Sequence, residues 1–222
     1  YDWREAGYPN ISEVSQSLLT YWFKTDHPSG FKYYFAQRES VESIIYLYEH
    51  EDIRNPSELL KYDSSGVLVD SMFEETWLRL VVKQATGTGK TKVLSLLMAW
   101  CYFHKEFNED SELSQNFLLL APNTIVLDRL KDDIEGLSVF NNDPVLPPNG
   151  YGGRSWNFFP KVHIQDNIGS LSKSGNIFLT NIQRFVTRTE KVDENSSMDY
   201  FLGDKPVTKT TGNKILVRDI VN

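Results

Sequence analysis

Apolar side chains recur at helical spacing in four segments of the chain. Residues 11–23 (ISEVSQSLLTYWF) follow Asn10, a candidate N-cap, and residues 36–50 form a second amphipathic stretch. Two further predicted helices run from Lys90 to about Phe107 and over residues 124–136, the last ending at a glycine. Helices therefore account for much of the predicted structure.

Short apolar runs predict β-strands between and after these helices. The runs are WLRLVVKQ (77–84), NFLLLAPN (116–123), KVHIQD (161–166) and NIFLTN (176–181). Strands that alternate with helices at this spacing indicate βαβ units, so we predict an α/β fold with a parallel sheet. Residues 141–157, rich in proline, glycine and asparagine, predict a long surface insertion, and residues 209–222 predict a last helix.

Composition narrows the class of protein. The 222 residues are 40% hydrophobic, 24% charged and 13% aromatic, which excludes a disordered chain. The net charge of −7 gives no overall basic signature of nucleic-acid binding, although a local basic groove can lie on an acidic protein. Cys101 is the only cysteine, which excludes an internal disulfide and favours a reducing, cytoplasmic location. No stretch reaches 18 apolar residues, so we expect no membrane partner.

The stretch VKQATGTGKTK (82–92) is a candidate phosphate-binding loop. The full pattern is G-x-x-x-x-G-K-[ST], and Gly89, Lys90 and Thr91 fill its last three places. Gln84 stands where the pattern has its first glycine, so the match fails at one position. A strand prediction precedes the loop and a helix prediction follows it, as the pattern requires. The alternative is a glycine turn that contains G-K-T by coincidence.

Each residue type in this loop has a chemical reason to be there. Glycines let the backbone curl so that several N–H groups converge on phosphate oxygens, and the following helix adds its dipole. Lys90 would reach the β- and γ-phosphates of ATP, and the Thr91 hydroxyl would ligate Mg²⁺. We therefore predict catalytic roles for these two. The predicted cofactor-binding residues of the loop are Ala85, Thr86, Gly87, Thr88, Gly89, Lys90 and Thr91.

The run ATGTGKT (85–91) resembles the first motif of superfamily 2 helicases and translocases, most of all the Res subunits of type III restriction endonucleases. Three further segments are similar to family motifs in the expected order. FKYYFAQRESVESIIYL (31–47) resembles the glutamine motif, LLLAPNTIVLDRL (118–130) motif Ia and FLTNIQRF (178–185) motif Ib. GNKILVRDIVN (212–222) looks like the segment before the acidic motif II. Only the first motif is specific by itself.

The resemblance implies roles for further residues. Gln37 matches the adenine-contacting glutamine, for which the alternative is a solvated residue at a helix start. One of Phe31, Tyr33, Tyr34 and Phe35 could stack on the base, although each could equally belong to the core. The positions matching the nucleic-acid loops of motifs Ia and Ib are Pro122, Asn123, Thr124, Thr180 and Asn181. The alternative is that these residues form ordinary turns between a strand and the helix that follows it.

The resemblance further implies a RecA-like, P-loop NTPase sheet over residues 61–222, preceded by a helical segment with the glutamine motif at 1–60. ATP and Mg²⁺ are the implied cofactors, and double-stranded DNA and a Mod-like DNA methyltransferase subunit the implied partners. No Asp-Glu pair ends an apolar run in this sequence, so we expect these 222 residues alone to hydrolyse ATP weakly or not at all. Two other interpretations are an ATP-sensing module that does not move along DNA, and another P-loop ATPase, which the glutamine motif disfavours.

Overall fold

A three-stranded parallel sheet lies in the C-terminal half of the computed structural model, which describes residues 1–70, 77–148, 151–165 and 167–184. The strands are β1 (Asn116–Ala121), β2 (Lys161–Ile164) and β3 (Asn176–Asn181), in the order β1-β3-β2. The central strand β3 is buried at all six positions. Burial on both faces of a parallel strand explains the apolar run of Ile177, Phe178 and Leu179 at its centre.

Six α-helices accompany the sheet in the described ranges. They are α1 (Asp2–Glu5), α2 (Glu13–Phe23), α3 (Phe35–Ile45), α4 (Lys90–Phe107), α5 (Thr124–Ile134) and α6 (Ser138–Asn141). Helix α3 continues as a π-helix over Tyr46–His50, and short 3₁₀ turns cover Pro56–Tyr62, Glu135–Leu137, Tyr151–Gly153 and Ile182–Arg184. None of these helices is both long and apolar enough to cross a bilayer.

The four helix predictions that fall on described residues are confirmed, with one change at a helix start. The N-cap of α2 is Ser12, whose hydroxyl accepts a hydrogen bond from Ser15 N at 3.2 Å, whereas Asn10 lies outside the helix with a φ of +59°. Serine is among the preferred N-cap residues because its short side chain reaches an otherwise unpaired N–H group of the first turn. The helix therefore begins two residues later than the predicted cap would place it.

The predicted strand over residues 77–84 is wrong. The segment belongs to no strand of the described structure, and Val81 and Trp77 are 91% and 59% exposed. Apolar and β-branched residues favour extended backbone, but a strand also needs a neighbouring strand to satisfy its backbone groups. In the described structure the sheet ends at β1 and β2, and neither pairs with this segment.

The prediction of a surface insertion over residues 141–157 is also wrong for its apolar positions. Val145 is fully buried, and its carbonyl oxygen accepts a hydrogen bond from Trp22 Nε1 at 2.7 Å. Trp156 is 3% exposed and packs edge to face on Phe103 and Phe107, with ring centroids 4.9 and 5.4 Å apart. Proline and glycine limit regular secondary structure, but they do not prevent neighbouring aromatic side chains from entering the core.

Helices α2, α3 and α4 share one apolar core, to which each contributes fully buried side chains such as Leu18, Val41 and Leu96. The division of the chain at residue 60 stays a prediction. The predicted helix 209–222, and the segment 212–222 that resembles the approach to motif II, lie outside the described residues.

Glu49, in the π-helix, joins these N-terminal helices through its carboxylate. It accepts hydrogen bonds from Ser12 N at 2.8 Å, from Trp100 Nε1 at 3.0 Å and from the Ser15 hydroxyl, and His104 Nε2 lies 3.6 Å away. Burial alone would raise the pKa of Glu49, but the hydrogen bonds from His104, Ser15 and Ser12 outweigh it and lower the pKa. One carboxylate thus links the start of α2 to the middle of α4.

We expect Glu49→Gln to lower the free energy of unfolding by about 2–3 kcal/mol at neutral pH, because an amide cannot satisfy this set of donors. The folded pKa lies below the unfolded one. The stabilisation is therefore present above an unfolded pKa of about 4.3 and is lost as the pH falls through the folded value. Denaturant titrations should show a larger difference between variant and wild type at pH 7 than at about pH 3.

Glu13→Gln is the matched control, since the Glu13 side chain is 87% exposed and forms an ion pair with Arg154, at 3.2 Å. Its effect should stay below about 1 kcal/mol. A Glu49→Gln effect that is equally large at both pH values would contradict the proposed role of the charge.

Candidate functional site

The glycines of the stretch 84–91 take the backbone conformations that a phosphate-binding loop needs. Gly87 and Gly89 have φ angles of +83° and +79°, in the left-handed region where a β-carbon is unfavourable. Gly89 is also the N-cap of the 18-residue helix α4, and no side chain caps that helix. The first turn of a helix leaves N–H groups without an intrahelical partner, so this end of α4 presents donors and a positive dipole end.

Lys90 folds back over this loop. Its Nζ donates a hydrogen bond to Ala85 O at 2.8 Å, and the Thr88 hydroxyl donates to the same carbonyl oxygen at 2.8 Å. Lys90 is exposed, so its ammonium can exchange this carbonyl for another oxygen without unpacking the core. The Lys90 ammonium thus lies at the start of the loop, at hydrogen-bond distance from its backbone.

Thr91 follows in the first turn of α4 and is half buried. Its hydroxyl is a suitable ligand for Mg²⁺, which prefers oxygen and keeps several ligands from water or phosphate. The described residues contain no group of three or more acidic, histidine or cysteine side chains that could hold a metal ion. The residues present therefore fit a Mg²⁺ ion held partly by Thr91 and partly by the phosphates of a nucleotide.

Gln37 lies against the loop. It is 4% exposed, so the alternative of a solvated residue is wrong. Its Nε2 donates to Thr88 O at 2.9 Å, and its Oε1 accepts from Tyr34 N at 2.9 Å at the start of α3. An amide has two hydrogens and two acceptor lone pairs, so one of each remains for a further partner such as an adenine edge.

Gln84, the departure from the strict loop pattern, also binds α3. Its Nε2 donates to Ala36 O at 2.9 Å and to the Ser40 hydroxyl at 2.8 Å. Its Oε1 lies 3.5 Å from the Thr88 hydroxyl. The sequence prediction noted Gln84 only as a mismatch. The signal it missed is that Ala36, Gln37 and Ser40 lie on one face of the predicted helix.

The aromatic residues before Gln37 divide into two groups. Phe31 and Tyr33 pack edge to face with ring centroids 4.9 Å apart, and Tyr33 also packs on Phe23 at 5.7 Å. Tyr34 and Phe35 are 66% and 75% exposed at the start of α3. Tyr34 and Phe35 are therefore the more accessible to a base.

The predicted nucleic-acid loops lie side by side at the carboxyl edge of the sheet. In the register of β1 and β3, Ala121 pairs with Asn181, so Pro122 and the end of β3 are neighbours. Asn123 is exposed and N-caps α5, with its Oδ1 accepting from Val126 N at 2.9 Å. Asn181 is 6% exposed, and its Oδ1 accepts from Gln183 N at 2.9 Å.

Exposure differs between the two loops. Pro122, Asn123 and Thr124 are open to solvent, whereas the side chains of Thr180 and Asn181 are buried. The exposed residues after β3 are 182–184, so these would carry a contact of the second loop with a DNA backbone. The predicted residues thus come together in two groups, one around loop 84–91 and one at the sheet edge.

A parallel sheet combined with a glycine-bent loop that opens a long helix at Lys90 defines the class of P-loop NTPases. The family model for the type III restriction enzyme, res subunit, matches residues 31–206, and the chain belongs to this family. The match indicates a helicase-like ATP-binding domain and confirms the predicted fold class and resemblance. No curated protein and no solved structure gives a significant match to the chain.

We expect Gly89→Ala to destabilise the protein more than Gly87→Ala. Both substitutions force a β-carbon into the left-handed region, at about 1–2 kcal/mol each. A β-carbon at Gly89 would also collide with Gln37 Nε2, whereas none of the described atoms lies within 4 Å at Gly87. The collision should break the bond from Gln37 to Thr88 and add roughly 1 kcal/mol.

Unfolding titrations of the two variants, each with and without Gln37→Ala, measure this difference. With Gln37 truncated, the two glycine substitutions should have similar effects. A difference that persists in the Gln37→Ala background would show that Gln37 is not its cause.

Proposed function

We propose that this chain binds ATP with Mg²⁺ between α3 and loop 84–91, as the ATP-binding part of an ATP-dependent DNA translocase or helicase. The restriction subunit of a type III-like system is the parent activity that the family favours. The observation that carries the proposal is the hydrogen bond from Gln37 Nε2 to Thr88 O. This bond supports the proposal because Gln37, the residue proposed to contact adenine, is joined by it to the loop proposed to hold phosphate.

The loop residues would share the work of holding the triphosphate. Lys90 Nζ leaves Ala85 O for the β- and γ-phosphate oxygens, where its charge offsets theirs. The N–H groups from Ala85 to Gly89 and the first turn of α4 donate to the remaining oxygens. Thr91 contributes its hydroxyl to Mg²⁺, which offsets phosphate charge when it is bound.

The base would lie at the start of α3. Gln37 offers adenine its remaining hydrogen and lone pair, a combination that matches the adenine edge better than the guanine edge. Tyr34 or Phe35, both exposed, supplies a stacking face. This assignment favours ATP over GTP.

Double-stranded DNA would lie along the carboxyl edge of the sheet. The exposed loop Pro122–Thr124 and the start of α5 offer backbone N–H groups to a DNA phosphate, since helix N-termini bind such anions. Residues 182–184 continue the same edge beyond Asn181. We also propose a Mod-like DNA methyltransferase subunit as a partner, on the basis of the family alone.

We expect Lys90→Ala to weaken ATP binding by the purified 222-residue chain at least tenfold, because a charged phosphate contact is removed. Isothermal titration with ATP and Mg²⁺ measures the affinity. Lys83→Ala is the matched control, since Lys83 is an exposed lysine of the same segment that lies outside the loop.

Because no Asp-Glu pair ends an apolar run, ATP hydrolysis by this chain should stay near background. Turnover well above background that Lys90→Ala abolishes would contradict this expectation.

DNA contact is tested with Asn123→Asp. Aspartate can still cap α5, but its negative charge would repel a nearby phosphate and weaken duplex binding about threefold to tenfold at low salt. Fluorescence anisotropy with labelled duplex DNA measures the affinity, and Asn55→Asp, at another exposed helix start, is the control. An ATPase activity that rises on addition of DNA would support the translocase interpretation. ATP binding with no response to DNA would favour the ATP-sensing module instead.

A further inference from the structure

We propose that Gln84 is a positioning residue that holds the phosphate loop at a fixed distance from the base-recognising end of α3. The inference rests on the proposed ATP site and adds a residue that the loop pattern does not require. Its consequence is that recognition of the base and binding of the phosphates depend on each other through the Gln84 side chain.

The Gln84 amide closes a small ring of hydrogen bonds on α3. Its Nε2 uses its two hydrogens on Ala36 O, at 2.9 Å, and on Ser40 Oγ, at 2.8 Å. The Ser40 hydroxyl in turn donates to Ala36 O at 2.7 Å. Because Ala36 and Ser40 are one helical turn apart, the Gln84 amide is bound to α3 at two positions along the helix axis. Glycine, the pattern residue at this position, has no side chain and could make neither bond.

Gln37 holds the same loop from the opposite direction. Its Nε2 reaches from α3 to Thr88 O, so the loop is bound to the helix at both Gln84 and Thr88. One hydrogen bond would let the loop pivot about a single point. Two bonds, at positions four residues apart, also fix the orientation of the loop relative to the helix.

The backbone before Gln84 does not supply this anchorage in the described structure. Residues 77–83 belong to no strand there, and Val81 is 91% exposed. The Gln84 side chain, in contrast, is hydrogen-bonded to α3. The Gln84 side chain therefore anchors the start of the loop, which is not held by pairing with a strand of the described structure.

A ligand that contacts both Gln37 and the loop should depend on this fixed distance, whereas a ligand that contacts the loop alone should not. ATP belongs to the first kind and inorganic tripolyphosphate to the second. The comparison separates positioning from a general weakening of the loop, since a disordered loop would lose both ligands.

The experiment measures Kd for ATP and for tripolyphosphate, each with Mg²⁺, in Gln84→Met, Ser40→Ala and Ser40→Thr of the full chain. Methionine keeps the length of the side chain without its donors. We expect Gln84→Met and Ser40→Ala to raise the Kd for ATP roughly threefold to tenfold, the equivalent of one to two hydrogen bonds. The Kd for tripolyphosphate should change less than about twofold. Ser40→Thr, which retains the hydroxyl, should behave like wild type.

Two controls complete the design. Gln16→Met removes an amide that binds a backbone carbonyl, Gly7 O at 2.8 Å, away from the loop, and it should leave both affinities unchanged. The double variant Gln84→Met with Ser40→Ala should lose no more affinity than Gln84→Met alone, because the two residues share one interaction.

The outcomes separate the two proposals. Wild-type protein that binds neither ligand overturns the proposed ATP site and this inference with it. If the wild-type protein binds both ligands, two results overturn only the role of Gln84. In the first, Gln84→Met binds both ligands with wild-type affinity. In the second, Gln84→Met loses affinity for both ligands equally. If Gln84→Met fails to fold by circular dichroism, the pair Ser40→Ala and Ser40→Thr decides, and equal ATP affinities in that pair overturn the inference.

Discussion

Helix α4 packs against α2, α3 and α6, and its burial fixes where the phosphate loop lies. Side chains such as Val93, Leu96 and Phe103 are almost fully buried, so the helix cannot shift without exposing much of the core. Its first residue is Lys90 and its cap is Gly89. The position of the proposed phosphate site is therefore set by apolar packing, although the site itself is polar.

The N-terminal helices contribute to this packing although residues 1–30 precede the span that matches the family. Helix α2 buries Leu18 and Trp22, and Glu49 ties the start of α2 to Trp100 of α4. The same core therefore supports α3, and the first turn of α3 faces the loop. A substitution in α2 can thus alter the proposed nucleotide site through α4 and α3, although α2 does not contact that site.

Much of the site could be predicted, because its residue types carry their own constraints. The run from Gly87 to Thr91 predicted a glycine-bent loop that opens a helix, and the helix begins at Lys90 as expected. The start of α5 was also predicted, from the helical spacing of apolar residues over 124–136. The side-chain partners of Gln84 and Gln37 could not be predicted, because they join residues 48 and 51 positions apart.

By itself the sequence determined much of the local structure: the positions of the helices to within a few residues, the bend at Gly87 and Gly89, and the order of helices and strands from α4 to β3. These features depend on backbone conformation and apolar spacing within a few residues. Only the tertiary structure decided that residues 77–84 form no strand, that Val145 and Trp156 enter the core, and which exposed aromatics flank Gln37. Each of these depends on a partner distant in the sequence, and neither propensity nor composition specifies which partner that is.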